Sequence, residues 1–380
     1  MELGPGALEA LVVNPEFWSG RRVLVTGHTG FKGSWLTLWL HELGAMVSGY
    51  ALKPPTEPNL FTVARLESCL IQHCIGDVRD LAALTQAMHS AQPEVVFHLA
   101  AQPLVRLAYR DPVATYAVNV LGTVHLLEAV RCCPSVRAVV VVTSDKCYED
   151  RRWAWPYREN DRLGGHEPYA GSKAAAELVV HTYRHAFLSP SRVAVASVRA
   201  GNVIGGGDWA EDRLLPDILR ASAAGVAVRL RSPQAIRPWQ HVLEPLAGYL
   251  LLAERLYRDE GNWASAWNFG PDPIDHWPVE RVTSWLCERL GCTWESDADP
   301  HPRETHLLSL DSSQARLHLG WAPHWSLEKA LEQTLAWYQA WRRGADMQAL
   351  SRQQIRDYQA SQTPLSQTRA SRMANPSETS

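Results

Sequence analysis

Two short patterns in this chain put reactive side chains at spacings that chemistry can use. The first is Tyr169-Ala-Gly-Ser-Lys173. Residues four apart on a helix share a face, so an ammonium would lie near a phenol. Coulomb attraction favours the phenolate, and the spacing predicts a Tyr169 pKa drawn from its usual value of about 10 towards neutrality. Such a phenolate can take the proton of an alcohol while hydride leaves the same carbon. The second pattern, Thr143-Ser144-Asp145-Lys146-Cys147-Tyr148, follows the apolar run VVVV at 139–142. A Ser144 hydroxyl beside the tyrosine can hold a substrate oxygen. Asp145, when protonated, can hand a proton to a departing hydroxyl. Lys146 has two readings: a neutral amine that removes a carbon-bound proton, or an ammonium that stabilises the resulting enolate while another group takes the proton.

A hydride needs an acceptor, and Gly27-His28-Thr29-Gly30-Phe31-Lys32-Gly33 supplies a place for one. A short apolar strand precedes it and a helical pattern follows. In that context Gly27 allows the sharp turn, Gly30 lets the backbone approach a pyrophosphate, and Gly33 permits close helix–strand packing. The anion then sits on free N–H groups at a helix N-terminus. Gly76-Asp77-Val78 and His98-Leu99-Ala100-Ala101-Gln102 fall at two further predicted strand ends, where ligands of open α/β sheets bind. Asn119 reads equally well as a cofactor contact or as a helix side chain bonded to neighbouring main chain.

Elements to position these groups are legible. Strands are predicted at Arg22–Thr26, Ala45–Tyr50, Leu70–Ile75, Glu94–Leu99, Val136–Thr143 and Val193–Arg199. Helical patterns lie between them at about 31–43, 80–91, 111–132 and 167–188. Strands alternating with helices make βαβ units and a parallel sheet, so the fold class is α/β: a doubly wound parallel Rossmann sheet over 15–200. Beyond Arg199 the rhythm breaks into glycine, proline and tryptophan clusters, with helical patterns near 213–224, 243–258, 278–290 and 327–342. This predicts a smaller mixed domain over 201–342, interleaved with the first, whose stretch 291–326 is extended and turn-rich. From 346 to 380 the polar composition predicts a mobile tail.

The bulk composition agrees with a soluble globular enzyme. Hydrophobic residues make up 46% and charged residues 20% of 380, ordinary values for a folded chain. A net charge of −3 gives no reason to expect nucleic acid or an anionic membrane. Seven cysteines without CxxC pairing fit reduced thiols in a cytoplasmic protein. The first eighteen residues lack the pattern of a signal peptide, and no apolar run is expected to span a bilayer.

The glycine spacing resembles that of the extended short-chain dehydrogenase/reductase superfamily. The segments TGHTGFKGSWL, HLAAQPLVRLAYRDP, TSDKCYED, VRAGNVIGGGDW, DRLLPDILR, IRPWQHVLEPLAGYL and WNFGP resemble its nucleotide-sugar 4,6-dehydratases over about 15–340. The Ser-Asp-Lys triplet resembles the CDP-glucose subgroup, where dTDP- and GDP-sugar members carry Thr-Asp-Glu. The resemblance implies NAD, held by Gly27, Thr29, Gly30, Phe31, Lys32, Gly33, Asp77, Val78, Leu99, Ala100, Ala101, Gln102, Thr143, Tyr169 and Lys173. It implies a nucleotide-sugar substrate met by Gln102, Ser144, Asn202, Asp208, Trp209, Arg213, Leu214, Arg237, Gln240 and His241. Ser144, Asp145, Lys146, Tyr169 and Lys173 would be catalytic, with no metal.

The implied reaction makes a 4-keto-6-deoxy sugar nucleotide for deoxysugar and lipopolysaccharide O-antigen biosynthesis, in a homodimer or higher homo-oligomer. Alternatives on the same fold are a 4-epimerase, a decarboxylase, or a dinucleotide-sensing protein without catalysis. Two segments depart from the pattern. Ser48-Gly49-Tyr50-Ala51-Leu52-Lys53 lacks the acid that grips an adenosine ribose, and Lys53 could physically accept a 2′-phosphate. HPRETHLLSLD, at 301–311, differs at the edge of the sugar-nucleotide lobe.

Overall fold

The computed structural model describes residues 12–189, 193–259, 262–297 and 308–362. Seven strands build one sheet: β1 Arg22–Thr26, β2 Met46–Ala51, β3 Gln72–Ile75, β4 Val95–His98, β5 Ala138–Val142, β6 Ala194–Ala200 and β7 Ala266–Phe269. Their spatial order is β3-β2-β1-β4-β5-β6-β7, and every pairing is parallel. Chain order therefore reverses between β1 and β4, the switch point where such sheets open a crevice at their carboxyl ends.

Both faces are covered, which is why the strands read as continuous apolar runs. Alternate residues point to opposite faces. Val23, Val25, Phe97 and Val140 face one core, with α1 (Phe31–Glu42) supplying Trp35 and Trp39. Leu24, Val96, Val139 and Val141 face the other, against α2 (Leu81–Ala91), α3 (Gly122–Arg131) and α4 (Pro168–Tyr183). Beyond Ala200, α5 (Leu214–Ala224), α7 (Val279–Leu290) and α8 (Leu327–Arg342) surround a smaller core of Leu215, Ile218, Trp239, Trp277, Val282 and Leu331. The two units interleave: β7 extends the main sheet, and α6 (Leu243–Arg258) packs on its first face.

Three expectations need correcting. The polar stretch from 346 is not a mobile tail as far as residue 362. It forms α9 (Met347–Ser361), with Met347, Ile355 and Tyr358 buried. Tyr358 donates to the buried Glu244 carboxyl at 2.7 Å, and Trp337 donates to Ser351 at 2.9 Å. Within 291–326, Ser313–Leu319 is helical and ends at the left-handed Gly320. The helical run Pro112–Arg131 is long and apolar enough to cross a membrane by length and composition; its Leu126, Leu127, Ala129 and Val130 belong to the second core. The tail beyond 362 and residues 301–307 lie outside the described residues.

Candidate active site

Thr26 ends β1 and the chain turns at Gly27, φ +76°. A Cβ there would lie 2.7 Å from the Ala100 nitrogen, and one on Gly33 would lie 2.1 Å from the Gly27 carbonyl oxygen. The protein's own packing demands those two glycines. Gly30 is different: its Cβ would meet only the Gly27 oxygen, at 3.4 Å, so the room kept there serves something else. The helix α1 starts at Phe31 with no side-chain cap and no acid in its first turn, leaving N–H groups and a positive dipole end for an anion. Thr29 Oγ1 donates to the Leu52 carbonyl at 2.8 Å and ties this loop to the end of β2, where Lys53 is exposed.

Other residues expected to touch the cofactor are engaged within the protein. The Asp77 carboxylate takes hydrogen bonds from Arg79 at 2.6–3.1 Å, which hold it below the ordinary carboxylate range. Val78 is buried in the second core. Gln102 folds onto its own loop, bonded to Leu104 and Thr115. Asn119 accepts from the Gln102 nitrogen at 2.8 Å and donates to Ser172 at 2.9 Å, which makes it a brace between the β4 loop and α4.

The catalytic candidates converge where β5 ends against the first turns of α4. Ser144 Oγ donates to Asp145 Oδ1 at 3.0 Å and lies near enough to the Tyr169 phenol to lower it. Asp145 is 3% exposed, and its Oδ2 has no hydrogen-bond partner among the described residues. Lys146 is half-buried near Glu167, whose carboxyl burial raises against the pull of the Ala170 and Tyr169 N–H groups and of the Lys146 charge. The predicted downward pull on Tyr169 is not what the site produces. Burial pushes the phenol up to about 12; Ser144 and Arg213 pull it down, while Asp145 and Glu167 push it up. Lys173 instead donates to the Val142 carbonyl at 3.3 Å, and burial lowers its ammonium to about 8. Lys32 lies close by: burial, then Arg213, bring it down to about 7 against the pull of Asp145.

The expected sugar-nucleotide half divides. Arg213 stands at the N-cap position of α5 beside this cluster, and its side chain bonds Asp208 Oδ2 at 2.8 Å. The Asp208 carboxylate is what chiefly raises the Arg213 guanidinium, so the cation is permanent. Asn202 is half-buried, its carbonyl accepting from the Gln240 nitrogen at 3.1 Å. Leu214 packs on the smaller core. Trp209, half-buried, meets Trp337, Tyr338 and Trp341 edge-on at 5.0–5.6 Å. Arg237 is buried and donates to the Ile236 carbonyl at 3.0 Å. Gln240, 2% exposed, donates to the Phe269 carbonyl. His241 is a core residue between Trp35 and Trp325, kept neutral by burial that lowers its pKa to about 3. Among the described residues, no group of three His, Cys, Asp or Glu side chains is placed to hold a metal ion.

A sequence model of the NAD dependent epimerase/dehydratase family matches residues 23–269, the span from β1 to β7 that carries every group above. The chain belongs to that family. A relative from Salmonella typhimurium named CDP-glucose 4,6-dehydratase is 50% identical over 359 residues, 93% of this chain and 100% of that protein. Among solved structures, DesIV, a dTDP-glucose 4,6-dehydratase from Streptomyces venezuelae with NAD and TYD bound, is 25% identical. It superposes with TM-score 0.72 over 86% of this chain and 99% of its own. MoeE5 in complex with UDP-glucuronic acid and NAD is 26% identical, with TM-score 0.71 over 85% and 99% of the two chains.

The glycine cradle fits the cofactor of the epimerase/dehydratase family, because the open space over Gly30 adjoins uncapped N–H groups. The sequence reading missed what stands behind the reactive strand end. Glu177 lies four residues beyond Lys173 on α4, and its buried carboxylate takes bonds from Arg199, Ser197 and Thr143. Arg199 also donates to the Tyr148 hydroxyl at 2.7 Å. Two opposite charges in elements that read as fully buried have to pair, and that was the available signal.

Proposed function

We propose that this protein is a nucleotide-sugar 4,6-dehydratase that converts CDP-glucose to CDP-4-keto-6-deoxyglucose and water. One observation carries the reading: a buried carboxyl, Asp145, accepts from Ser144 at 3.0 Å and stands close enough to Tyr169 to act on its phenol. A 4-epimerase or a decarboxylase has no use for a second acid at this point. Identity at half of all positions across the whole Salmonella typhimurium protein supports the cytidine nucleotide.

NAD, when bound over the Gly27–Gly33 loop, supplies the hydride acceptor at C4 and the hydride donor at C6. The chain does the rest. Ser144 holds the sugar 4-oxygen, and Tyr169 takes its proton. The 4-ketone acidifies the C5 hydrogen, and Lys146 acts there as base or as stabilising charge. Asp145 protonates the departing 6-hydroxyl through Oδ2, water leaves, and a proton returns to C5 as C6 is reduced. Arg213 and Lys32 offer positive charge to phosphate oxygens, with Asp208 aiming the arginine. Incubation of the pure protein with CDP-, dTDP-, UDP- and GDP-hexoses tests this: the alkaline absorbance of a 4-keto product should appear with CDP-glucose first. Its absence with every hexose would reject the assignment.

The assembly belongs to the same proposal. Val113 (79% exposed), Tyr116, Leu121 and Leu178 are exposed apolar residues of the 112–131 helical run and α4, a surface suited to pairing two copies. Sedimentation should give a dimer that Val113→Asp weakens.

A further inference from the structure

We infer that Gly201 is a positioning residue for the elimination half of the reaction, holding open the space that the Asp145 acid needs; this rests on the dehydratase reading. Gly201 directly follows β6, and its φ lies outside the left-handed region. The backbone conformation therefore suits any residue, and the reason for glycine is space. A Cβ on Gly201 would lie 2.8 Å from Asp145 Oδ2 and 2.7 Å from Pro238 Cγ. Both contacts are shorter than carbon can tolerate, so a side chain here would press on the acid and the proline ring together.

The oxygen concerned is the one with chemistry to do. Oδ1 is held by Ser144 at 3.0 Å, whereas Oδ2 is buried without a hydrogen-bond partner among the described residues. An acid that must release its proton to a leaving group cannot have that proton committed to a fixed protein acceptor. A methyl at 201 would push Oδ2 off its line while leaving Tyr169 and the cofactor loop untouched. C4 oxidation and C6 elimination should then come apart.

The test compares wild type, Gly201→Ala and Asp145→Ala/Gly201→Ala on CDP-glucose. Borodeuteride trapping and mass spectrometry separate 4-keto-6-hydroxy from 4-keto-6-deoxy sugar. Gly201→Ala should cut the deoxy product about 100-fold, the worth of a placed general acid, while 4-keto-6-hydroxy sugar accumulates. A thermal-melting cycle gives an independent readout: Asp145→Ala should recover part of the loss caused by Gly201→Ala, the Pro238 contact accounting for the rest. Should Gly201→Ala fail to fold, the same pair is compared in a Pro238→Ala background, where a folded double variant upholds the coupling and failure of both overturns it. Equal loss of both half-reactions in Gly201→Ala, or loss of neither, overturns the assignment while the dehydratase reading stands. Wild type that makes no 4-keto-6-deoxy sugar overturns that reading, and the role of Gly201 falls with it.

Discussion

The Glu177 carboxylate on α4 and the Arg199 guanidinium on β6 meet at 2.7 Å, each side chain only 3% exposed. Burial alone would raise the Glu177 carboxyl; Arg199, Thr143 and Ser197 hold it below its ordinary value. The pair fastens the strand end bearing Ser144 and Asp145 to the helix bearing Tyr169 and Lys173. Glu177→Gln leaves a buried guanidinium without its counter-charge, which should cost about 3–5 kcal/mol of stability. Chemical denaturation checks this, and a loss below about 1 kcal/mol would mean that the pair does not fasten the site.

Tyr169→Phe should lower turnover by about 10²–10⁴-fold and leave the melting temperature and NAD affinity near wild type, since the ring still packs. The pH profile follows from the two buried groups. Phenolate becomes scarcer as pH falls below the Tyr169 value of about 12, and charged Lys173 becomes scarcer above about 8. With both forms required, kcat/KM should climb with pH and level off near 8. A profile that falls from pH 6 upward would exclude Tyr169 as the proton acceptor.

Asp145→Asn and Lys146→Met should fail at different points. An amide is a poor acid, so Asp145→Asn should accumulate reduced cofactor and 4-keto-6-hydroxy sugar on the enzyme. In Lys146→Met, exchange of the C5 hydrogen with deuterated solvent should collapse while C4 oxidation persists. Undiminished C5 exchange in that variant would remove Lys146 from the step in either of its two roles.

Truncation after Ala345 deletes α9 and should destabilise the fold by several kcal/mol, because Trp39, Trp325 and Trp337 lose Tyr358 or Ser351 as neighbours. It also uncovers Glu244, whose carboxyl burial pushes up to about 7 from 4.5. A carboxyl raised in this way stabilises fully below its unfolded value and loses that contribution as pH rises through about 7. Wild type should therefore weaken between pH 5 and 8 by about 2–3 kcal/mol more than Glu244→Gln. Parallel stability–pH curves for the two proteins would refute this.

How far the sequence spoke depended on how purely each element is apolar. Strands β1, β4, β5 and β6 and helices such as α1 and α6 announced themselves because Val, Leu, Ala and aromatic residues fill their buried positions. The α9 helix did not: its buried stripe is Met347, Ser351, Gln354, Ile355 and Tyr358, and Ser351 and Gln354 are buried only because Trp337 and the Gln333 carbonyl meet them. Tyr169, Lys173, Ser144 and Asp145 were readable from spacing because the chain brings them to one strand end and one helix face. Placing Gln240 and His241 required knowing that Trp35, Trp325 and Phe269 enclose them. Sequence spacing cannot report a contact made across two hundred residues, nor that burial sets the Tyr169 phenol while Lys173 turns to the Val142 carbonyl.

The most direct test follows the hydrogen on C4. CDP-glucose carrying deuterium at C4 should be turned over by the purified protein to a 4-keto-6-deoxy sugar nucleotide with that deuterium on C6. Deuterium returned to C4 of an epimerised sugar, or lost without a 6-deoxy product, would contradict the dehydratase account.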